Sequence, residues 1–243
     1  MKRVWLGMFA GLALAALIGA GHLWNTHLRA PPITPLPMPD HLVALSSATG
    51  TAWLRESESA DYAALAAHFV PQSRKAYCGV ATALTTLNAF GAEPHIDEQA
   101  LFAQPDVALH PLKVSFSGMS LRELGGLLHA HGAKVTVVPA SSIDLPRFRE
   151  TARGNLARPG DFLLINYERA HVGQQQMGHI SPVAAYHPPS DRLLILDVAA
   201  HKYPSAWVPL EDVWQAMRAP LNPRTANTRG FVIVHGASGP IAR

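Results

Sequence analysis

Gln72-Ser73-Arg74-Lys75-Ala76-Tyr77-Cys78-Gly79-Val80-Ala81-Thr82-Ala83-Leu84-Thr85-Thr86-Leu87-Asn88-Ala89-Phe90-Gly91 holds the one cysteine of the 243-residue chain. Up to Tyr77 the stretch has no apolar period and reads as an irregular approach. From Cys78 onward, Leu84, Leu87 and the alanines give a helix-compatible apolar face, with Gly91 as a natural stop. Cys78 therefore falls at a helix N-terminus, where unpaired N–H groups and the helix dipole favour thiolate over thiol and lower the pKa. Gln72, six residues upstream, is placed to fold its amide back beside the Cys78 N–H, and two such donors make an oxyanion hole. A lone thiol is an inert buried side chain, an intermolecular link or a nucleophile. These surroundings favour the nucleophile.

A thiolate nucleophile needs a base, and the base an orienting partner. Gly178–Tyr186 reads as a strand, His187–Asp191 as a turn and Arg192–Val198 as a second strand, together a hairpin. Pairing about the turn brings His179 close to Asp197. Asp197 ends an otherwise apolar strand, a costly place for an unpaired carboxylate, and an imidazole beside it removes that cost and fixes the ring tautomer. Cys78, His179 and Asp197 are the predicted nucleophile, base and orienter.

Outward from this centre, Ser120-Leu121-Arg122-Glu123 is a capping box that opens a helix ending at Gly132, with Leu121, Leu124, Leu127 and Leu128 as its buried stripe. Lys134–Val138, Asp161–Tyr167 and Phe231–His235 read as strands, and Ile143–Leu156 as a helix. Helices come mainly first and strands mainly later, which suits an α+β fold. Gly173–Gly178 is a polar loop that borders either the cleft or open solvent.

The N-terminal residues 1–29 read as a signal peptide or an uncleaved anchor. Lys2 and Arg3 precede an apolar run from Val4 to Ala20, and the positive flank places the remainder outside the cytoplasm, periplasmic or membrane-anchored. Residues 30–40 carry five prolines and form an extended spacer, so the catalytic body covers 41–243. The formal net charge is +3; Lys2 and Arg3 supply two charges and leave +1 for the rest, no footprint for nucleic acid. The thirteen histidines are scattered without metal-site spacing, so no protein-bound metal and no organic cofactor are expected.

The order Cys, His, acid with a glutamine upstream looks like the papain-like cysteine peptidases. Gln72–Gly79 with Leu87-Asn88 resembles, more narrowly, the nucleophile signature of the phytochelatin synthase family. Gly178-His179-Ile180-Ser181-Pro182, Leu194–Ala199, Lys202-Tyr203-Pro204, Trp207–Leu210, Trp214–Met217 and Arg229-Gly230-Phe231 are similar to its later blocks. The resemblance implies a papain-like fold, with a helical half and an antiparallel-sheet half flanking a cleft. It implies that Cys78 attacks the Cys–Gly bond of glutathione, releases Gly, and passes the γ-Glu-Cys acyl group to a second glutathione or to water. It also implies acceptor-side contacts for Tyr77, Arg169 and Lys202, while Arg229 is either a substrate clamp or a strand-edge arginine. Ala200-His201 stand where the family carries an arginine and an aromatic residue. A heavy-metal ion, cadmium or zinc, enters only as a glutathione thiolate, because Cys78 is the one cysteine. A papain-like peptidase for other peptides and a non-catalytic anchored binding module remain as alternatives, and the oligomeric state, homodimer included, is open.

Overall fold

The computed structural model describes residues 2–92, 94–221 and 229–236; residues 237–243 of the expected body, with Met1, lie outside them. Helix α1 (Lys2–Leu23) runs into a π-helical turn, Trp24–Leu28. Then come β1 (Val43–Ala44), α2 (Ala48–Arg55), α3 (Tyr62–Ala67), α4 (Cys78–Ala89), α5 (Glu98–Ala103), α6 (Pro111–Ser117) and α7 (Leu121–Ala130). The later elements are β2 (Lys134–Pro139), α8 (Leu145–Leu156), β3 (Phe162–Glu168), β4 (Gly178–His187), β5 (Arg192–Ile195), β6 (Ala206–Pro209), α9 (Leu210–Arg218) and β7 (Gly230–His235). The strands form one antiparallel sheet of seven in the order β1-β6-β5-β4-β3-β7-β2.

Local chemistry sets the helix limits. Ser120 and Glu123 close the expected capping box on α7. Ser47, Asp97 and Asp144 each accept an N–H of the first turn of their helices. Gly91 and Gly132 take positive φ, 89° and 82°, where the chain leaves α4 and α7.

The sheet is a middle layer. On one face α4 and α7 bury Val80, Leu84, Leu87, Leu124 and Leu128 against Leu164, Ile180, Leu194 and Val232. On the other, α8 and α9 bury Phe148, Leu156, Trp214 and Met217 against Leu163, Ile165, Val183 and Phe231. Each fully buried leucine contributes about 1.5–3 kcal/mol. The α+β expectation holds, but helices cover both faces, a coverage absent from the expectation of a helical half beside a sheet half.

Two segments depart from expectation. Strand β5 stops at Ile195, not Val198. Ile195 pairs with Val183, and the next β4 residue is Pro182, whose carbonyl accepts the Leu196 N–H at 3.0 Å and which has no N–H to return, so the ladder ends and Asp197 leaves the sheet. The Pro-rich stretch is extended but is no free spacer. Thr34 N–H donates to His201 O (2.8 Å), Leu36 N–H to Lys202 O (2.9 Å), and the Arg192 guanidinium donates to His41 O (2.8 Å). Among the described residues no helix is long and apolar enough to cross a membrane.

Candidate active site

Cys78 is the first residue of α4. The helix is fixed to β4 by the Thr82 hydroxyl, which donates to Ile180 O at 3.1 Å. Gly79 makes the close approach possible: a Cβ there would stand 3.0 Å from Met119 Sδ and 3.3 Å from Ile180 Cδ1. The thiol, half-buried, accepts from the N–H groups of Ile180 and Gly79 and lines a cavity of about 390 Å³ together with His179.

His179 Nε2 lies 3.0 Å from Asp197 Oδ1 and 2.9 Å from Ser181 Oγ. With Nε2 turned to these oxygens, Nδ1 is the ring nitrogen left for the thiol. Asp197 Oδ1 also accepts from Arg169 Nη2 at 2.7 Å and from the Ala199 N–H at 2.9 Å, so the buried carboxylate is well satisfied. Sequence reasoning missed Ser181, although strand alternation places it on the same side of β4 as His179.

The electrostatics describe a neutral resting pair. Burial pushes the Cys78 thiol up, against the N–H of Ile180 and the charge of Arg169, so the expected lowering by the helix terminus is overturned: desolvation of the sulfur outweighs it. Burial, and next the Arg169 cation, pull His179 down to about 4, against Asp197. The His179 and Arg169 charges hold Asp197 well below the usual carboxylate range despite its burial. At neutral pH the site holds thiol, neutral imidazole and an Asp197–Arg169 ion pair, the arrangement of a general base awaiting a proton.

Gln72 Nε2 donates to Arg74 O (3.1 Å) and Lys75 O (3.0 Å), so its two amide hydrogens brace the approach loop; its Oε1 is buried without a partner. Tyr77 does not line the cavity. It is sealed in the core at 1% exposure, its hydroxyl donating to Pro111 O and accepting from Arg74 and Ser115. Arg169 likewise does not line the cavity. It is buried against Asp197, pairs with Gln174 and sits over the Tyr203 ring. Lys202 donates to Gln175 Oε1 at 3.1 Å outside the cavity lining, its pKa lowered by partial burial and then by the Arg169 charge. Arg229 lines the cavity, but its guanidinium is committed to Glu168 (2.9 Å), Ala219 O and Pro220 O, while its Nε has no partner. Glu168 in turn accepts the Met177 N–H, and Met177 and Gly178 border the cavity, so the polar loop does reach the cleft. Among the described residues no group of three or more His, Cys, Asp or Glu side chains is placed to hold a metal ion.

An α+β body with a cysteine at a helix tip, and a histidine–aspartate pair at the same cavity, defines the class: a protein with a thiol and a paired imidazole at one cavity. Within that class the chain belongs to the phytochelatin synthase family, whose model matches residues 33–231. It is 33% identical over 175 residues to glutathione gamma-glutamylcysteinyltransferase 1 of Lotus japonicus, covering 70% of this chain and 35% of that protein. Identity to the enzyme of the same name from Arabidopsis thaliana is also 33%, with 70% and 36% covered. Glutathione gamma-glutamylcysteinyltransferase of Schizosaccharomyces pombe is 26% identical over 197 residues, 77% of this chain and 46% of that protein. The chain thus spans between a third and a half of the length of these curated relatives.

Proposed function

We propose that this chain is a cysteine-nucleophile acyltransferase or hydrolase, of papain-like fold, that acts on glutathione. The supporting observation is the line from the Cys78 cavity through His179 to Asp197, with the imidazole held by Nε2 at 3.0 Å. His179 Nδ1 takes the Cys78 proton as sulfur attacks the carbonyl of the Cys–Gly bond. The tetrahedral oxyanion is met by backbone N–H groups at the α4 terminus, assisted by Gln72 if its amide swings from the Arg74 and Lys75 carbonyls. His179 then returns the proton to the glycine amine, and a γ-glutamylcysteinyl thioester remains on Cys78. Water, or a second glutathione, displaces it with His179 as base. A thiophilic metal ion enters this scheme as part of the substrate, bound as a glutathione thiolate. The body is exported, with residues 1–29 as its signal or anchor.

The test is incubation of the full chain with glutathione, with and without cadmium, and mass spectrometry of the products. Free glycine with γ-glutamylcysteine establishes hydrolysis, and (γ-Glu-Cys) dimers establish transfer. Cys78→Ser abolishes both. Cleavage of unrelated peptides without glycine release from glutathione would sink this reading and favour a peptidase.

A further inference from the structure

The family match begins at residue 33, yet the cavity of Cys78 is partly walled by a residue upstream of it, His27. His27 sits in the π-helical turn Trp24–Leu28 that continues α1, is half-buried, and packs its ring on Phe116 of α6 with centroids 4.5 Å apart. The placement is anchored from both sides. The turn rests on α6, and the chain downstream is bonded at Thr34 and Leu36 to the His201–Lys202 segment. The same cavity is lined by Lys75, an exposed residue of the approach loop whose carbonyl is fixed by Gln72. Among the described lining residues there is no aspartate or glutamate, and the other cation, Arg229, is already paired with Glu168. A cavity whose free charge is of one sign concentrates ligands of the other.

We infer that in the uncleaved chain, with residues 1–29 retained as an anchor, the segment upstream of the family-matched region, through His27, joins Lys75 in making the mouth of the Cys78 cavity selective for substrates that carry a carboxylate. Lys75 supplies the charge. His27 supplies a ring N–H donor and closes the wall, so that the charge acts across less water. The inference rests on Cys78 as the reactive group, and it assigns the recognition of a substrate carboxylate to residues outside the triad.

Cys78 is the one cysteine in the chain, so alkylation reads this cavity directly. The experiment compares the rate constants for iodoacetate, an anion, and iodoacetamide, its neutral counterpart, on the full-length protein at low salt. The wild type is expected to favour iodoacetate, relative to the same ratio for a free thiol, by roughly tenfold or more, and added salt to erase the preference. Lys75→Gln and His27→Ala each lower the ratio, whereas Lys75→Arg keeps it. Thermal melting alongside shows that each variant is folded. A ratio left at the wild-type value in Lys75→Gln removes the charge from the site, and one left unchanged in His27→Ala removes the upstream segment; either result overturns the inference. Because alkylation needs no turnover, a protein that released no glycine would end the proposed reaction and leave this measurement standing.

Discussion

Arg169 and Asp197 form an ion pair sealed from solvent, 2.7 Å from Nη2 to Oδ1 with side-chain exposures of 2% and 3%. The oxygen they share also faces His179 Nε2. One carboxylate charge therefore serves two partners. The guanidinium is cationic at any working pH and neutralises Asp197, which leaves little field to draw a proton onto the imidazole. Arg169 thus acts through Asp197 to keep the His179 imidazole neutral.

Removing that cation is expected to show in both stability and pH profile. Arg169→Met leaves a buried carboxylate with one partner fewer and should cost about 3–5 kcal/mol in urea unfolding. It should also raise the His179 pKa, moving the acid limb of kcat/KM for glycine release to higher pH. Arg169→Lys keeps the charge and should keep the acid limb near the wild-type position. A limb unmoved in Arg169→Met would show that burial alone sets the imidazole.

Two buried groups oppose each other between pH 4 and 6.5. His179 is held down to about 4 by burial first and Arg169 second, so the unfolded chain binds its proton more readily. Its contribution is complete above the ordinary imidazole value of about 6.5 and is lost as pH falls to about 4. Asp61 is raised to about 6 by burial, against the Gly160 N–H that it accepts at 2.6 Å. Its contribution is complete below the ordinary carboxyl value of about 3.9 and is lost as pH rises through about 6. His179→Gln should therefore unmask stability that falls as pH rises over this range, and Asp61→Asn stability that rises. Urea midpoints at half-unit pH steps check both slopes.

Tyr77 adjoins Cys78 in sequence but is spent in the core. Its hydroxyl ties Pro111 O at 3.0 Å, Arg74 Nη1 at 2.9 Å and Ser115 Oγ at 3.3 Å into one knot. Tyr77→Phe should cost about 1–2 kcal/mol of stability and leave the KM for glutathione unchanged. A several-fold rise in KM without loss of stability would return Tyr77 to the substrate side.

Legibility in the sequence followed the range of the interactions. The α4 start, the α7 capping box and the hairpin are local patterns, so Cys78, Ser120 and the approach of His179 to Asp197 could be read from spacing and period. Asp197 also carried its own signal, an acid closing an apolar strand. Arg169 carried none: a lysine or arginine near a predicted cleft looks the same whether it meets a ligand or a buried carboxylate 28 residues away in the chain. Nor does Tyr77, next to Cys78 in sequence, signal that its hydroxyl is spent on Pro111 O in the core. The rise in the Cys78 pKa was hidden because the helix tip is visible in sequence, whereas the packing of Cys78 against the core between α4 and the sheet is tertiary. The seat of residues 34–36 against the body depends on backbone bonds to His201 and Lys202, which composition does not encode.

The rim of the site is tied to one close backbone crossing. Gly230 opens β7 opposite Pro139 and Asn166, and a Cβ there would stand 2.1 Å from Val138 O, 2.8 Å from Ala140 N and 2.9 Å from Pro139 Cα. All three are backbone atoms, so no side chain can give way and the strand itself must shift. Arg229 precedes it and holds Glu168, whose other oxygen fixes Met177 two residues before His179. Gly230→Ala should therefore cost about 3 kcal/mol or more and also slow Cys78 acylation, because the displacement runs along that chain of bonds. Gly126 on α7 is the control. A Cβ there meets nothing within 4 Å, so Gly126→Ala should stabilise by about 0.5–1 kcal/mol with activity unchanged. Urea unfolding with glycine release on both variants reads the contrast, and a Gly230→Ala protein as stable and as active as wild type would show that β7 is not held at this crossing.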